Sequence, residues 1–318
     1  NRRSMGPEKP TTPYAIRVLA RTIVGAIGLA AFCGLVYLGG WPFFTFIAVL
    51  AVIALGEYYS ALQARGMRPN VALGWLCAVA ILYATQHTIE VYNLAGLSGS
   101  DRLTGANVEA EADVLQLILF VLMCSVAGTL IAQFRSKPGQ SAVINSATTV
   151  FGVVYVGLLL SFMLRMRYVD LPSLTGFVDA GPLARRTGGI LFTVIPVWLG
   201  DTTAFFVGTL LGRTKLAPLI SPNKTVEGSV AHLIATLVGM VLLGLWLHLP
   251  LWHCVGLGVL MSIVGQLGDL GKSVLKRDIG IKDFGSLLGP HGGVLDRFDA
   301  VLFSSPLVYW YCWFLLMR

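Results

Sequence analysis

The chain has 318 residues, of which 55% are hydrophobic and only 12% are charged, and its formal net charge is +7. Soluble globular domains average about 45–50% apolar and about 25% charged residues, so this composition excludes an ordinary soluble domain and predicts a membrane protein. In such a protein the excess of Lys and Arg is expected on cytoplasmic loops, and we do not take it as a sign of nucleic-acid binding.

Nine apolar segments, each near the roughly 20 residues that span a bilayer, follow one another along the chain. They are 21–38, 41–62, 71–92, 114–134, 143–166, 189–211, 230–249, 251–268 and 298–317. Pro250 separates the seventh segment from the eighth and fits a tight hairpin, because proline cannot continue a helix interior. The sequence therefore predicts an all-α polytopic integral membrane protein with about nine transmembrane helices.

The distribution of basic residues predicts the orientation. With the N-terminus in the cytoplasm, 17 of the 23 Lys and Arg residues fall on the inner side and 6 on the outer side. Residues 1–20 are then a mobile cytoplasmic segment, and 21–190 form the N-terminal transmembrane helices. Residues 191–318 form a C-terminal transmembrane region that carries two charge-rich cytoplasmic loops, 212–228 and 269–299.

Asp201, in the sequence VWLGDTTAFF, lies within the sixth apolar segment. An acid at that depth is costly, so it indicates a functional residue with a partner nearby. The alternative is an Asp that is paired with a base for structure alone. His232 and the other histidines near the ends of the apolar segments are expected to be interfacial or packing residues.

The loop 212–228 contains two prolines and the bases Arg213, Lys215 and Lys224. Cationic side chains in a flexible loop at a membrane surface suit the binding of phosphate groups. An ordinary basic cytoplasmic loop is the alternative. Ser221, Thr225 and Glu227 could also cap a following helix without any ligand.

The stretch 269–299 holds ten charged residues and six glycines in thirty-one positions. Asp269 and Asp296 bracket it, and paired carboxylates suit Mg²⁺, which completes its ligand shell with water and phosphate oxygens. The neighbouring bases suit the phosphates themselves, and Gly292 and Gly293 would let backbone N–H groups approach an anion. The alternative is a salt-bridge network in which the acids and bases neutralise one another.

The same stretch carries a long pattern: SVLKR at 273–277, then Lys282-Asp283, then HGGVLDRFD at 291–299. It resembles the signature of the phosphatidate cytidylyltransferase (CDP-diacylglycerol synthase) family. GDTTAF at 200–205 and ISPNKTVEG at 220–228 resemble other blocks of that family. The chain departs from the family in its Gly289-Pro290 order, in Ser229-Val-Ala-His232, and in Lys272, where many members have Glu. We assign Lys272 no role.

The resemblance implies transfer of the cytidylyl group of CTP to phosphatidate, giving CDP-diacylglycerol and pyrophosphate, with Mg²⁺ as cofactor. The residues that it implies for catalysis are Asp201, Lys224, Lys276, Arg277, Lys282, Asp283 and Arg297. Those that it implies for substrate binding are Ser221, Asn223, Lys224, Thr225, His291, Gly292 and Gly293. Asp269 and Asp296 are expected to bind Mg²⁺, and a two-metal arrangement would add a second cation, K⁺ or Mg²⁺.

By the same resemblance we expect a multi-pass protein of the cell inner membrane, with its active site facing the cytoplasm, that forms a homodimer. Its partners would be CTP, phosphatidate and membrane lipid. Two alternatives stay open at this point: a lipid or polyprenol kinase that uses CTP, and an anion transporter. A kinase would release CDP instead of pyrophosphate, whereas a transporter would place polar groups at the membrane midplane in two matching halves.

Overall fold

A computed structural model describes residues 28, 30–94, 105–135, 141–167, 169, 181–285, 287 and 292–316. Residues 30–38 are helical, and eight numbered helices follow. In chain order, α1 to α8 are Gly40–Gln63, Val71–Leu94, Gly105–Ala132, Ala142–Met166, Gly181–Leu210, Val226–Trp246, Leu251–Ile279 and Leu295–Tyr311. A π-helical segment, Val153–Leu158, interrupts α4, and another, Cys312–Leu316, follows α8.

The helices α1 to α7 each contain a stretch that is long and apolar enough to cross a membrane. The prediction of an all-α, polytopic membrane protein is therefore confirmed. The count of nine spans and the cytoplasmic N-terminus stay predictions. The N-terminal segment 1–20 and residues 21–27 of the first predicted span lie outside the described residues.

The predicted loop 269–299 is partly wrong, because α7 continues past Gly268 and ends at Ile279. Polar residues at a membrane surface do not have to end a helix, and the sequence has no proline between Gly268 and Gly280. Gly280 adopts the left-handed conformation (φ 72°), and the N–H of Ile281 bonds the carbonyl of Lys276. This is the usual way in which a glycine ends a helix. Asp269 therefore lies on a helix and not in a loop.

The predicted loop 212–228 contains a short antiparallel hairpin, β1 (Lys215–Ala217) and β2 (Ser221–Thr225). Lys215 pairs with Thr225 and Ala217 pairs with Ser221. Prolines at 218 and 222 exclude a helix here, and the strands give backbone groups another way to form hydrogen bonds. The Thr225 hydroxyl accepts the N–H of Gly228 at 3.2 Å, so this residue caps α6 as expected.

The two halves of the chain share one hydrophobic core, which runs from Phe32 to Cys312. In the N-terminal half α1 packs on α2, and α2 packs on α3 and α4. In the C-terminal half α5, α6, α7 and α8 pack in sequence, and α8 also packs against the end of α4. Tyr59 of α1 is fully buried and donates its hydroxyl to the carbonyl of Thr149 on α4 at 2.8 Å. Elements of the N-terminal half can therefore position side chains near α7 and α8.

Close packing of α4 on α2 depends on Gly157, because a Cβ there would lie 2.8 Å from the Cβ of Ala78. We expect Gly157→Ala to destabilise the protein by about 1–3 kcal/mol through overpacking. Gly34→Ala is the matched control, since nothing lies within 4 Å of a Cβ at that position. Heat unfolding in detergent micelles should give a lower midpoint for Gly157→Ala only. Equal midpoints for the two variants would contradict this packing.

Candidate active site

The facing ends of α7 and α8 enclose a buried ammonium group. The Nζ atom of Lys272 lies 3.1 Å from Asp269 Oδ1 and 4.0 Å from Asp296 Oδ1, and it also contacts Asp299 Oδ2. It donates a further hydrogen bond to the backbone carbonyl of Asp296 at 3.0 Å. The Lys272 side chain is only 7% exposed. Lys272, to which the sequence analysis assigned no role, is therefore the centre of the charge cluster.

Helical spacing explains how these four side chains meet. Asp269 and Lys272 are three residues apart on α7, and Asp296 and Asp299 are three residues apart on α8. Residues at this spacing share one face of a helix. Because α7 packs directly on α8, the two faces meet and bring three carboxylates to one ammonium group.

Two further lysines contact the carboxylates, one from β2 and one from α7. Lys224, on β2, places its Nζ 2.5 Å from Asp269 Oδ2. Lys276, one turn beyond Lys272 on α7, places its Nζ 2.8 Å from Asp296 Oδ1 and 3.7 Å from Asp283 Oδ1. The hairpin, α7 and α8 thus contribute side chains to one charge cluster.

Asp296 is held firmly on its second oxygen. Its Oδ2 accepts the backbone N–H of Phe284 at 3.0 Å and that of Gly293 at 3.3 Å. Gly292 has a φ of +80°, and a Cβ there would approach Asp296 Oδ2 to 3.3 Å. The two glycines of the HGG sequence therefore shape the backbone around this carboxylate.

The other predicted residues surround this cluster. Arg277 donates its Nε to the carbonyl of Ile220 at 3.2 Å and so ties the hairpin to α7. Four are exposed at the surface of the same region: Asn223, Lys282, Asp283 and Arg297. Ser221 is half-buried on β2, and Thr225 is a buried helix cap. His291 lies outside the described residues.

Asp201 belongs to a separate polar chain that crosses α5, α6 and α7. Its Oδ1 lies 3.3 Å from His232 Nε2, and His232 Nδ1 lies 2.9 Å from Ser262 Oγ. Gln266 donates to Ser262 at 3.0 Å and contacts Ser229. His232 is therefore part of a buried hydrogen-bonded chain and not an isolated histidine, and its Nε2 faces Asp201.

The carboxylates fit an incomplete binding site for a divalent cation. The carboxyl groups of Asp269 and Asp299 both contact the ammonium group of Lys272. Within the described parts of the chain, no three His, Cys, Asp or Glu side chains are arranged to hold a metal by themselves. Mg²⁺ is usually held by one or two carboxylates together with water and substrate phosphates, so a partial oxygen set of this kind suits it.

Sequence reasoning missed Asp299 and Lys272 as site residues, and also Glu57 of α1, whose carboxylate bonds the start of α8. Asp299 could have been found from its spacing, because it lies three residues after Asp296 and so on the same face of a helix. Glu57 stands in an apolar segment, where an acid is costly, and that signal was also available.

The balance of charge around Lys272 should be essential for stability. Lys272→Met would leave three carboxylates with one cation fewer, and breaking such a buried pair costs about 3–5 kcal/mol. Lys272→Met combined with Asp299→Asn should recover part of this loss, because both members of one pair are then neutral. Heat unfolding measures both effects, with the exposed Lys215→Met as control. A parental midpoint for Lys272→Met would contradict the pairing.

Comparison with known proteins agrees with this architecture. The Cytidylyltransferase family matches residues 19–315. A phosphatidate cytidylyltransferase of Synechocystis sp. is 34% identical over 93% of this chain and 97% of that protein. Those of Staphylococcus haemolyticus and Bacillus subtilis are 31% and 28% identical, each over 91% of this chain and over 96% and 95% of the relative. The chain belongs to the cytidylyltransferase family.

Proposed function

We propose that this protein transfers the cytidylyl group of CTP to phosphatidate, forming CDP-diacylglycerol and pyrophosphate. One observation carries the proposal: lysines and aspartates from three elements meet at the ends of membrane helices. They do so in a chain that is similar over nearly its whole length to proteins named phosphatidate cytidylyltransferase. Neither a lipid kinase nor a transporter is favoured by these relatives.

The reaction requires positioning more than proton transfer. A phosphate oxygen of phosphatidate attacks the α-phosphorus of CTP, a new P–O bond forms, and the bond to the pyrophosphate leaving group breaks. Phosphate monoesters are already ionised near neutral pH, so the nucleophile needs no general base. The protein has to align the two phosphates and offset their negative charge, as in phosphoryl transfer generally.

Lys224 and Lys276 are the residues that we assign to the substrate phosphates. Each is paired with an aspartate in the structure, Lys224 with Asp269 and Lys276 with Asp296. These pairs hold the ammonium groups at the site before a substrate arrives. A phosphate oxygen can then share or replace the carboxylate, so that the lysine exchanges one anionic partner for another.

The inner cluster has too little positive charge to bind two phosphorylated substrates unaided. Three ammonium groups meet four carboxylates there, those of Asp269, Asp283, Asp296 and Asp299. We therefore propose that Mg²⁺ is bound by oxygens of Asp269, Asp296 and Asp299, where it would neutralise charge on the CTP phosphates. Lys272 already occupies the centre of these carboxylates, so a second cation, K⁺ or Mg²⁺, would have to displace it.

The lipid substrate would reach the site from the side. Leu267 and Val274 of α7 are 60% and 46% exposed, on the same helix that carries Asp269 and Lys276. Such apolar surface beside the charges suits acyl chains that stay in the bilayer while the phosphate enters the cluster. We propose that the site faces the cytoplasm, where CTP is available, and that the protein lies in the cell inner membrane as a homodimer.

Purified protein given CTP, Mg²⁺ and phosphatidate should release pyrophosphate and form CDP-diacylglycerol. Omitting any one of the three, or chelating the metal with EDTA, should stop the reaction. Mass analysis of the products separates the alternatives, since a kinase would yield CDP. CDP without pyrophosphate, or no turnover under any of these conditions, would refute the proposal.

Asp296→Asn should abolish CTP-dependent product at any Mg²⁺ concentration, because it removes one charge from the assigned Mg²⁺ site and from the partner of Lys276. Asp113→Asn on α3 is the matched control and should keep parental turnover. Both variants are assayed for CDP-diacylglycerol in the same detergent. Near-normal turnover of Asp296→Asn would refute its assignment to the metal.

Lys224→Met should lower kcat/KM for CTP on the order of 10²-fold or more, because the loss of one preorganised donor at a developing anion typically lowers the rate by that factor. Lys215→Met removes an exposed lysine from the partner strand β1 and should change kcat/KM little. Steady-state rates at varied CTP measure both. An equal loss in the two variants would mean that Lys224 contributes only general positive charge.

A further inference from the structure

Glu57 of α1 caps the start of α8. Its Oε1 accepts the backbone N–H of Val294 and its Oε2 accepts that of Leu295, both at 3.0 Å. The first N–H groups of a helix have no partner within the helix, and the positive end of its dipole favours a carboxylate. The residue that follows Leu295 is Asp296, so the cap acts directly beside a carboxylate of the cluster.

Arg65, in the turn that ends α1, makes the complementary contact at α7. Its Nη2 donates to the carbonyl of Gly280 at 2.9 Å. Gly280 ends α7, and a cation is favourable at the C-terminal end of a helix dipole. Lys276, which bonds Asp296, lies one turn before Gly280. One helix of the N-terminal half thus places an acid at the start of α8 and a base at the end of α7.

The backbone around Glu57 is built to admit its carboxylate. A Cβ at Gly293 would lie 2.5 Å from Glu57 Oε2, and a Cβ at Gly285 would overlap the same carboxylate. The neighbouring Tyr58 packs its ring 6.3 Å from that of Phe284, whose N–H bonds Asp296. Residues of α1 therefore lie close to Phe284 and Gly285, which follow α7, and to Gly293, which precedes α8.

We propose that Glu57 and Arg65 form a brace that positions the cluster for the reaction. The brace fixes the end of α7 and the start of α8 relative to each other, and so sets where Asp296 stands with respect to Lys272 and Lys276. Both are positioning residues, because each acts on backbone groups and not on a substrate. The inference rests on the proposed function and extends it to a helix that bears none of the residues assigned to the reaction.

Glu57→Gln is the sharpest variant. Glutamine keeps the size of the side chain, but its NH₂ group would face one of the two N–H donors and lose that hydrogen bond. A misplacement of about 1 Å can cost 10²-fold in rate. We therefore expect kcat to fall about 10- to 100-fold and the Mg²⁺ concentration for half-maximal rate to rise severalfold. Arg65→Met should change both in the same direction, by less.

Two matched controls separate the brace from general loss of charge. Glu90→Gln alters an acid of α2 whose carboxylate accepts from Gln86 on its own helix. Arg68→Met removes an exposed arginine close to Arg65. Both should keep parental kcat and Mg²⁺ dependence. Hydrogen exchange of backbone amides in 292–297 supplies a readout that needs no turnover, and it should become faster in Glu57→Gln than in Glu90→Gln.

Faster exchange confined to 292–297, together with the shifted Mg²⁺ dependence, would support the brace. Parental exchange and parental Mg²⁺ dependence in a folded Glu57→Gln protein would overturn it. If Glu57→Gln does not fold, Arg65→Met decides by the same two measurements. Parental protein that forms no CDP-diacylglycerol would refute the proposed function alone, because the exchange comparison still tests the brace.

Discussion

A buried ammonium group among three carboxylates is the interaction on which the site depends. Moving Lys272 and its aspartate partners out of water is costly, and only close contact between opposite charges offsets that cost. The contacts of Lys272 Nζ with Asp269 and Asp299, and with the Asp296 carbonyl, provide this compensation. They require the polar faces of α7 and α8 to meet in one register. The charge cluster is therefore both the candidate active site and a reason why these two helix ends lie together.

The cluster also depends on parts of the chain that contain no signature residue. Its lysines come from β2 and α7 and its aspartates from α7, α8 and the segment between them, while α1 reaches the backbone at both ends of that segment. The shared core extends through both halves. Because close-packed interiors transmit strain, a shift of α1 would change the position of Asp296. The division into an N-terminal helical part and a C-terminal catalytic part is useful for describing the sequence. In the folded protein, however, the N-terminal part contacts the backbone at the end of α7 and at the start of α8.

Local patterns made the helices and most of the cluster predictable, whereas long-range pairing was not predictable. Apolar runs of spanning length indicated the membrane helices, and the lysines and aspartates of the charged stretch do meet. The end of α7 was misplaced, because charge was taken as a sign of a loop although the residues up to Gly280 can form a helix. Lys272 was left without a role because its partners on α8 follow only from the way in which two helices pack. Glu57 lies 237 residues from Val294, and no periodicity in one sequence relates positions so far apart.

The paired state of the lysines bears on how the site would handle highly charged substrates. Free ammonium groups near a membrane interior would be costly to hold in place, and free carboxylates would repel phosphate. Pairing Lys224 with Asp269 and Lys276 with Asp296 avoids both problems. On the proposed assignment, phosphates and a divalent cation that arrive together would give each lysine a phosphate and each aspartate the cation as partner, so the number of uncompensated charges would change little. Neither phosphate nor cation would achieve this balance alone, and this is the physical reason why the proposed site would bind the nucleotide as its Mg²⁺ complex.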